Sequence, residues 1–308
     1  MLIKLFYLLS FFLIYFSLSL FLKYSNNYLL DKPNSRSAHT TPTPRGAGII
    51  FSSLITFNSL FFNKSNLFIA YPLSLIGFLD DKFRIPSQIR YLAQFITSFC
   101  IIKSSLFVNN SIIANHFLFG LIFLTVLGTA IINFTNFLDC LDGLIASCFL
   151  IIFFTISLDT GNNYLIAITL ISFLFYNWHP AKLFMGDSGS TYLGAIYFSL
   201  ILNSDDIQVV ISRFLLSSPI LLDAISCLIS RFRNGFNIFE AHRMHLAQRL
   251  YLAGWKHSKV SLLYMFFTVV MSGLYYFGNL QIMFLFTIIL ILVGVYINRN
   301  YASDFPIK

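Results

Sequence analysis

The chain alternates long apolar runs with short polar islands. A helix needs about 20 apolar residues to cross a ~30 Å hydrocarbon core, with roughly 17 to 25 tolerated. By that measure spans fall near 3–22, 46–62, 66–79, 91–108, 117–135, 143–158, 163–178, 188–203, 207–229, 259–277 and 279–297. The third run is short, and only Gly278-Asn279 separates the last two, so the pattern predicts ten or eleven crossings. The expected fold is all-α, a polytopic membrane helix bundle formed as a single domain over 1–308. Met1 to Leu22 lacks a small-residue cleavage site before Lys23 and reads as a retained first span.

Composition sharpens this picture. Of 308 residues, 57% are hydrophobic and only 10% charged, with a mean hydropathy of +0.77. A soluble domain carries roughly 25% charged residues. Cys100, Cys140, Cys148 and Cys227 lie in or beside apolar runs without CxxC spacing. They read as small core residues, not as disulfides or metal ligands. The net charge of +8 points to loop asymmetry and not to nucleic acid. If the spans alternate, the loops Asp31–Arg45, Asp80–Arg90, Asn136–Asp142, Pro180–Asp187 and Arg231–Lys259 share one face. That face and the C-terminal tail hold sixteen of the twenty lysines and arginines; Lys4, Lys64, Lys103 and Arg213 fall elsewhere. The positive-inside rule makes the rich face cytoplasmic.

The same five loops carry the candidate chemistry. Asn133, Asn136, Asp139 and Asp142 follow the apolar run from Phe117 at three-residue steps, and Gly143 ends the series. On a helix each such step returns to within about 60°, so neighbouring members share a face. Asp80-Asp81 are adjacent carboxylates, which stay ionised only beside cations or a metal. Lys82, Arg84 and Arg90 follow them. Arg36, His39 and Arg45 can grip phosphate oxygens. Gly186-Asp187-Ser188-Gly189 offers one carboxylate among exposed backbone N–H groups, suited to a metal–phosphate site. His242, Arg243 and His245 add cationic or polarisable donors. Asp223, in the ninth run, is expected to pair with Arg231 or Lys182. Each island alone has a bland reading as a helix cap, a topology anchor or a solvated helix end. Their convergence on one face does not, and carboxylates ringed by Arg, Lys and His describe phosphoryl chemistry.

At these islands the chain resembles the polyprenyl-phosphate N-acetylhexosamine-1-phosphate transferases of glycosyltransferase family 4, from about Asp31 to Arg249. Asp80-Asp81 is similar to the family's Asp-Asp motif, and Asn133 to Gly143 to its Asn-x-x-Asn-x-x-Asp-Gly-x-Asp-Gly motif. Phe184 to Gly189 is similar to Phe-x-Gly-Asp-x-Gly, and His245 to the first histidine of His-x-His-His. The resemblance implies a UDP-N-acetyl sugar donor, undecaprenyl phosphate as acceptor, Mg²⁺ with Mn²⁺ as a substitute, and UMP as product. It implies an inner-membrane enzyme with a cytoplasmic active site, and it leaves room for a homodimer. It makes Asp187 the first metal ligand, Asp81 a support for metal or phosphate, and Asp80 the group that deprotonates the lipid phosphate. His245 joins them as a catalytic candidate. Asn136, Asp139 and Asp142 would contact the nucleotide sugar, with Arg45, Lys82, Arg90, His242 and Arg243 as further substrate-binding groups.

Two departures bear on the donor. Cys140 replaces the glycine usual after Asp139, and Ala247 and Gln248 replace the last two family histidines. The form His-Arg-x-His-x-x-Gln resembles the O-antigen-initiating branch, which implies a 6-deoxy N-acetyl sugar; peptidoglycan and common-antigen synthesis are the alternatives. A transporter would place its carboxylates near the midplane on broken or repeated helices. A prenyltransferase would need two Asp-x-x-x-Asp-like clusters, and a CDP-alcohol phosphotransferase an Ala-Arg pair after Asp-Gly, whereas Asp142-Gly143 runs into Leu-Ile-Ala.

Overall fold

The computed structural model describes residues 2–25, 29–33, 37–62, 66–110, 117–237, 240 and 242–306. Every apolar run appears as helix, and the strands among the described residues are the two-residue pair Leu30–Asp31 (β1) and Thr43–Pro44 (β2), antiparallel. Helices α1 (Leu2–Ser25) and α2 (Gly48–Phe62) flank that pair. A 3₁₀ turn, Asn66–Ala70, leads into α3 (Tyr71–Phe83), followed by α4 (Ser87–Lys103) and the short α5 (Leu106–Asn110). Then come α6 (Phe117–Leu138), α7 (Leu144–Thr160), α8 (Tyr164–Asn177) and α9 (Gly186–Ile201). The chain closes with α10 (Ile207–Leu215), α11 (Ser218–Arg233), short α12 (Leu246–Leu252), α13 (His257–Phe277) and α14 (Leu280–Asn300). The protein is a multi-pass helical membrane protein.

The ninth run departs from expectation. It is two helices, α10 and α11, bent by 71°. Pro219 sits at the start of α11, where its missing N–H is harmless but its ring prevents a straight continuation from α10. Arg213, expected on the bland face, is 4% exposed. It donates to the carbonyls of Leu200 and Asn203, both at 3.0 Å, and pairs with Asp159 at 2.9 Å. It thereby satisfies carbonyls at the end of α9, where a cation is favoured. The weak break at Gly278-Asn279 is a real one: Asn279 is extended and its side chain accepts from Ile282 N–H at 2.9 Å, starting α14 afresh.

Helix α9 is the axis of the bundle. Nearly all of it is buried, and it packs against α2, α3, α4, α6, α7 and α10. Around it the helices from α2 to α9 that make the core, α5 and α6 apart, have 13 to 17 residues, about 20–26 Å at 1.5 Å per residue. That is short of a ~30 Å hydrocarbon layer, whereas α1, α6, α13 and α14 have 21 to 24 residues. The outer helices turn large apolar side chains outward, among them Leu9, Phe12 and Phe16 on α1 and Leu285, Ile288 and Leu292 on α14, as lipid contact requires. Two glycines let the inner helices close. A Cβ at Gly48 would stand 2.0 Å from the backbone nitrogen of Gly189, and one at Gly77 2.6 Å from the carbonyl of Asp187. Gly77 lies one turn before Asp80, so this contact delivers the α3 carboxylates to the start of α9.

Candidate active site

The islands meet where α3, α6 and α9 end or begin. Segment 43–48 is laced to the loop before α9: Phe184 donates to Pro44 at 2.8 Å, Ala47 to Phe184 at 3.2 Å and Gly48 to Met185 at 2.9 Å. This brings Arg45 beside Asp187. The Asp81 side chain is fully enclosed, ion-paired with Arg45, and accepts from the backbone N–H groups of Asp187 at 3.0 Å and Ser188 at 3.4 Å. Gly186 makes that possible. Its φ is +69°, and a Cβ there would lie 2.2 Å from an Asp81 oxygen.

Asp187 is the hub. Its Oδ2 takes Arg90 at 2.9 Å and the Asn136 amide at 3.3 Å, while Oδ1 faces Arg45 at 3.5 Å. Arg90 also donates to Asp80 at 2.9 Å, whose other oxygen accepts from Ile85 N–H at 2.6 Å. Asn136 is held in turn by Ser190 at 3.2 Å, and Asn133, one step earlier, donates to Gln94 deep in the bundle. The ladder therefore serves the site from Asn136 onward and anchors α4 at Asn133.

A cavity of about 360 Å³ opens against this cluster. Its wall includes Arg45, Asn136, Asp139, Cys140, Asp142, Asp187, His242 and Gln248, with His39, Asn177 and His257. Asp142 is gripped from three sides: His179 at 2.7 Å, the Ala181 N–H at 3.1 Å and His257 at 3.3 Å. Gly143 N–H donates to Asn177 at 3.1 Å and fixes the turn.

Electrostatics follow from crowding. Burial, then Asp187 and Asp81, push the Asp139 carboxyl up to about 8. Burial raises Asp81 to about 6 against the pull of Arg45, and burial with Asp187 raises Asp80. Burial works against the Arg45 charge, but Asp81 and Asp187 outweigh it and hold the guanidinium protonated. Asp142 goes the other way: burial opposes its charge, yet His257 and His179 keep it below the ordinary carboxylate range. Asp80, Asp81, Asp139 and Asp187 crowd around two arginines, and Asp187 and Asp139 offer carboxylate oxygens of the kind a hard divalent cation accepts.

The structure places several of the expected residues away from the cavity wall or in other company. Lys82 is exposed, its ammonium 4.9 Å from the Phe83 ring, and does not reach the cavity. Asp81 lies behind Asp187 with its oxygens taken, a poor position for a metal ligand. Asp80 is also off the cavity wall, occupied with Arg90 and Ile85. His245 is 3% exposed, below His242, with ring centroids 4.9 Å apart, and it does not line the cavity. Arg243 is half-buried and not on the cavity wall, and Arg36 lies outside the described residues. His242, expected to help with positive charge, is pushed down to about 3 by burial, His245 and Arg231, so it stands as a neutral imidazole. Asp223 takes neither Arg231 nor Lys182. It accepts from the N–H groups of Leu246 at 2.7 Å and Ala247 at 3.0 Å and from the Tyr264 hydroxyl at 2.6 Å, pinning the start of α12. Sequence reasoning gave His179 and His257 no role; a lone histidine outside a motif carries no signal until Asp142 is seen between them.

A buried, carboxylate-rich cluster clasped by arginines at one end of a membrane bundle fits a class, a membrane-embedded transferase of phosphorylated groups. Comparison makes the class specific. The profile of Glycosyl transferase family 4 matches residues 64–205. The chain is 30% identical to a probable undecaprenyl-phosphate N-acetylglucosaminyl 1-phosphate transferase of Bacillus subtilis, over 74% of this chain and 71% of that protein. It is 31% identical to a phospho-N-acetylmuramoyl-pentapeptide-transferase of Fervidobacterium nodosum, over 71% and 77%. With a decaprenyl-phosphate N-acetylglucosaminephosphotransferase of Mycobacterium leprae it shares 26% identity over 78% and 75%. The chain belongs to glycosyl transferase family 4, and it is a transferase.

Proposed function

We propose that the chain transfers an N-acetylhexosamine-1-phosphate from its UDP donor to undecaprenyl phosphate, on the cytoplasmic side of the bacterial inner membrane, starting a surface polysaccharide. The observation that carries this reading is the clasp on Asp187 by Arg45, Arg90 and Asn136 at the edge of a polar cavity. An oxygen of the lipid phosphate bonds to the phosphorus bearing the sugar. The bond from that phosphorus to the bridging oxygen breaks, and UMP leaves. Lipid phosphate is largely ionised near neutral pH, its second pKa lying around 6, so direct attack needs no strong base. Asp80 therefore serves chiefly to carry Arg90 to Asp187.

Asp187 with Asp139 would hold Mg²⁺, or Mn²⁺ in its place, with Asn136 donating to Asp187 beside them, and the crowding that lifts Asp139 supports that fit. When bound, the ion draws charge from the diphosphate oxygens. Arg45 and Arg90 keep Asp187 aimed and offer N–H groups to phosphate oxygens that the ion leaves. Asp142, fixed by His179 and His257, presents one face of the sugar or nucleotide pocket, and Gln248 and Cys140 present the side that departs from the commonest family pattern.

That departure supports a 6-deoxy N-acetyl sugar and an O-antigen-type pathway. Of Ala247 and Gln248 it is Gln248 that bears on the donor, because Gln248 lines the cavity while Ala247 is fully buried and its N–H is bound to Asp223. The test is release of UMP by membranes given undecaprenyl phosphate, Mg²⁺ and a panel of UDP-sugars. No UMP above a vector control with any of them would sink the reading. Discrimination over a single tolerated hydroxyl is expected to be about 100-fold at most, and Gln248→His should change that ratio.

A further inference from the structure

Cys227, His242 and His245 were expected to be a core thiol and two donors to substrate. The structure sets them together: one ligand atom from each lies within 4.8 Å of the others. Three segments meet there, since Cys227 comes from α11, His242 from the loop and His245 from the residue that starts α12. The thiol is free and 3% exposed, and His245 is 3% exposed. Neither ring nitrogen of His245 has a hydrogen-bond partner. Its nearest polar neighbour is the Asp223 carboxylate, at 3.6 Å from Nδ1, and a buried imidazole held no more closely than that in a built site asks what it binds.

We propose that Cys227, His242 and His245 form a second metal site, for Zn²⁺ or a similarly thiolate- and imidazole-seeking divalent ion. This inference stands on its own residues and does not depend on the reading of the transferase reaction.

The chemistry separates it from the Asp187 cluster. Thiolate and imidazole select zinc-like ions, and carboxylate and amide oxygens select Mg²⁺. Asp223 stands 3.6 Å from His245 Nδ1, the place of the carboxylate that orients a metal-bound histidine. It favours the proton on Nδ1 and leaves the Nε2 lone pair for the ion. His242 accepts a 3.3 Å hydrogen bond from Met244 N–H at Nδ1, which ligation through that nitrogen would replace. One thiolate and the nearby Asp223 carboxylate would meet the charge of a dication, in a site that also feels Arg231 and Arg249. Ligand atoms around zinc sit about 2.0–2.3 Å from it, so the three side chains must draw together by roughly an ångström. The fourth position is open, and because His242 lines the catalytic cavity, loading the site would fix that stretch of its wall.

The test uses the purified full-length chain in detergent, stripped with a chelator and titrated with Co²⁺ as the coloured stand-in for Zn²⁺. The expected result is one equivalent bound with a thiolate-to-cobalt charge-transfer band, displaced by Zn²⁺ and untouched by excess Mg²⁺. Cys227→Ser and His245→Gln should lose the band, and Asp187→Asn should keep it. A band absent from the wild type, or one that survives Cys227→Ser, overturns the proposal. If those variants fail to fold, X-ray absorption of the zinc-loaded wild type decides it: one sulfur and two imidazole nitrogens support the site, and a shell without sulfur ends it.

Discussion

At the scale of single residues, the three carboxylates Asp187, Asp81 and Asp142 divide the labour by what already binds them. Asp187 is the one facing the cavity with oxygens shared between arginines and Asn136. Asp187→Asn keeps its shape and removes its charge, so transfer should fall about 1000-fold, roughly 4 kcal/mol of transition-state stabilisation. The protein should still insert and melt near the wild-type temperature; near wild-type turnover at saturating Mg²⁺ would remove Asp187 from the chemistry. Asp81 is the opposite case, enclosed and bound to Arg45 and two N–H groups. Asp81→Asn leaves a mostly buried guanidinium short of charge, which costs about 3 kcal/mol. Its melting temperature in detergent should drop along with its activity, and an unchanged melting curve would speak against a structural share in its role. Asp142 links to pH. Its folded-state pKa lies below the unfolded value, so its contribution is complete above the ordinary carboxylate range and is lost as pH falls through the depressed pKa. The gap in melting temperature between wild type and Asp142→Asn should therefore shrink as pH falls below the ordinary carboxylate range. A gap that widens on acidification would mean the sign is wrong.

At the scale of elements, close approach of α2 and α3 to α9 is what turns separate motifs into one site. Gly77→Leu would force α3 off the start of α9, since even a Cβ meets the Asp187 carbonyl at 2.6 Å. Overpacking of this kind costs about 1–3 kcal/mol, and because Asp80 and Asp81 ride on the displaced turn, activity should fall further than stability. Activity kept at the wild-type level, measured as UMP release beside a melting curve, would detach the helix contact from the site. Much of this was legible in the chain. The apolar runs gave the helices, because length and hydropathy alone decide what can cross a bilayer. The three-residue steps of the ladder gave a shared face. What could not be read was which members of a motif face the ligand. Asp81 and Asp187 look equivalent as letters, and only packing shows that one supports the backbone of the other. Nor could the break in the ninth run be placed, since Ser217-Ser218-Pro219 is compatible with a kink or with two helices. His257 was silent for the same reason: its partner Asp142 is 115 residues away.

At the scale of the whole molecule, the shared cavity imposes an orientation. All the islands that line the cavity come from loops after odd-numbered spans, and they can share one cavity only if those loops open on one side of the membrane. The basic residues make the same demand, with sixteen of twenty on that face or the tail. Arg213, one of the four others, is no exception to the electrostatics, being buried against Asp159 and the end of α9. The bend between α10 and α11 could in principle reverse the count. If α10 re-enters on the side it left, the pair is no crossing, and everything after it would change face. The cavity argues otherwise, because His242 and Gln248 beyond α11, and His257 at the start of α13, line the same wall as Asp31 and Asp187. Single cysteines at Ser37, Ser87 and Ser258, in a chain whose four native cysteines are replaced, should label with a membrane-impermeant thiol reagent only after the inner membrane is opened. Ser37 and Ser87, the latter at the start of α4, report the face before the bend, and Ser258, in the first turn of α13, the face after it. Labelling of Ser258 alone in intact cells would make the bent pair re-entrant, and labelling of all three would put the active site outside.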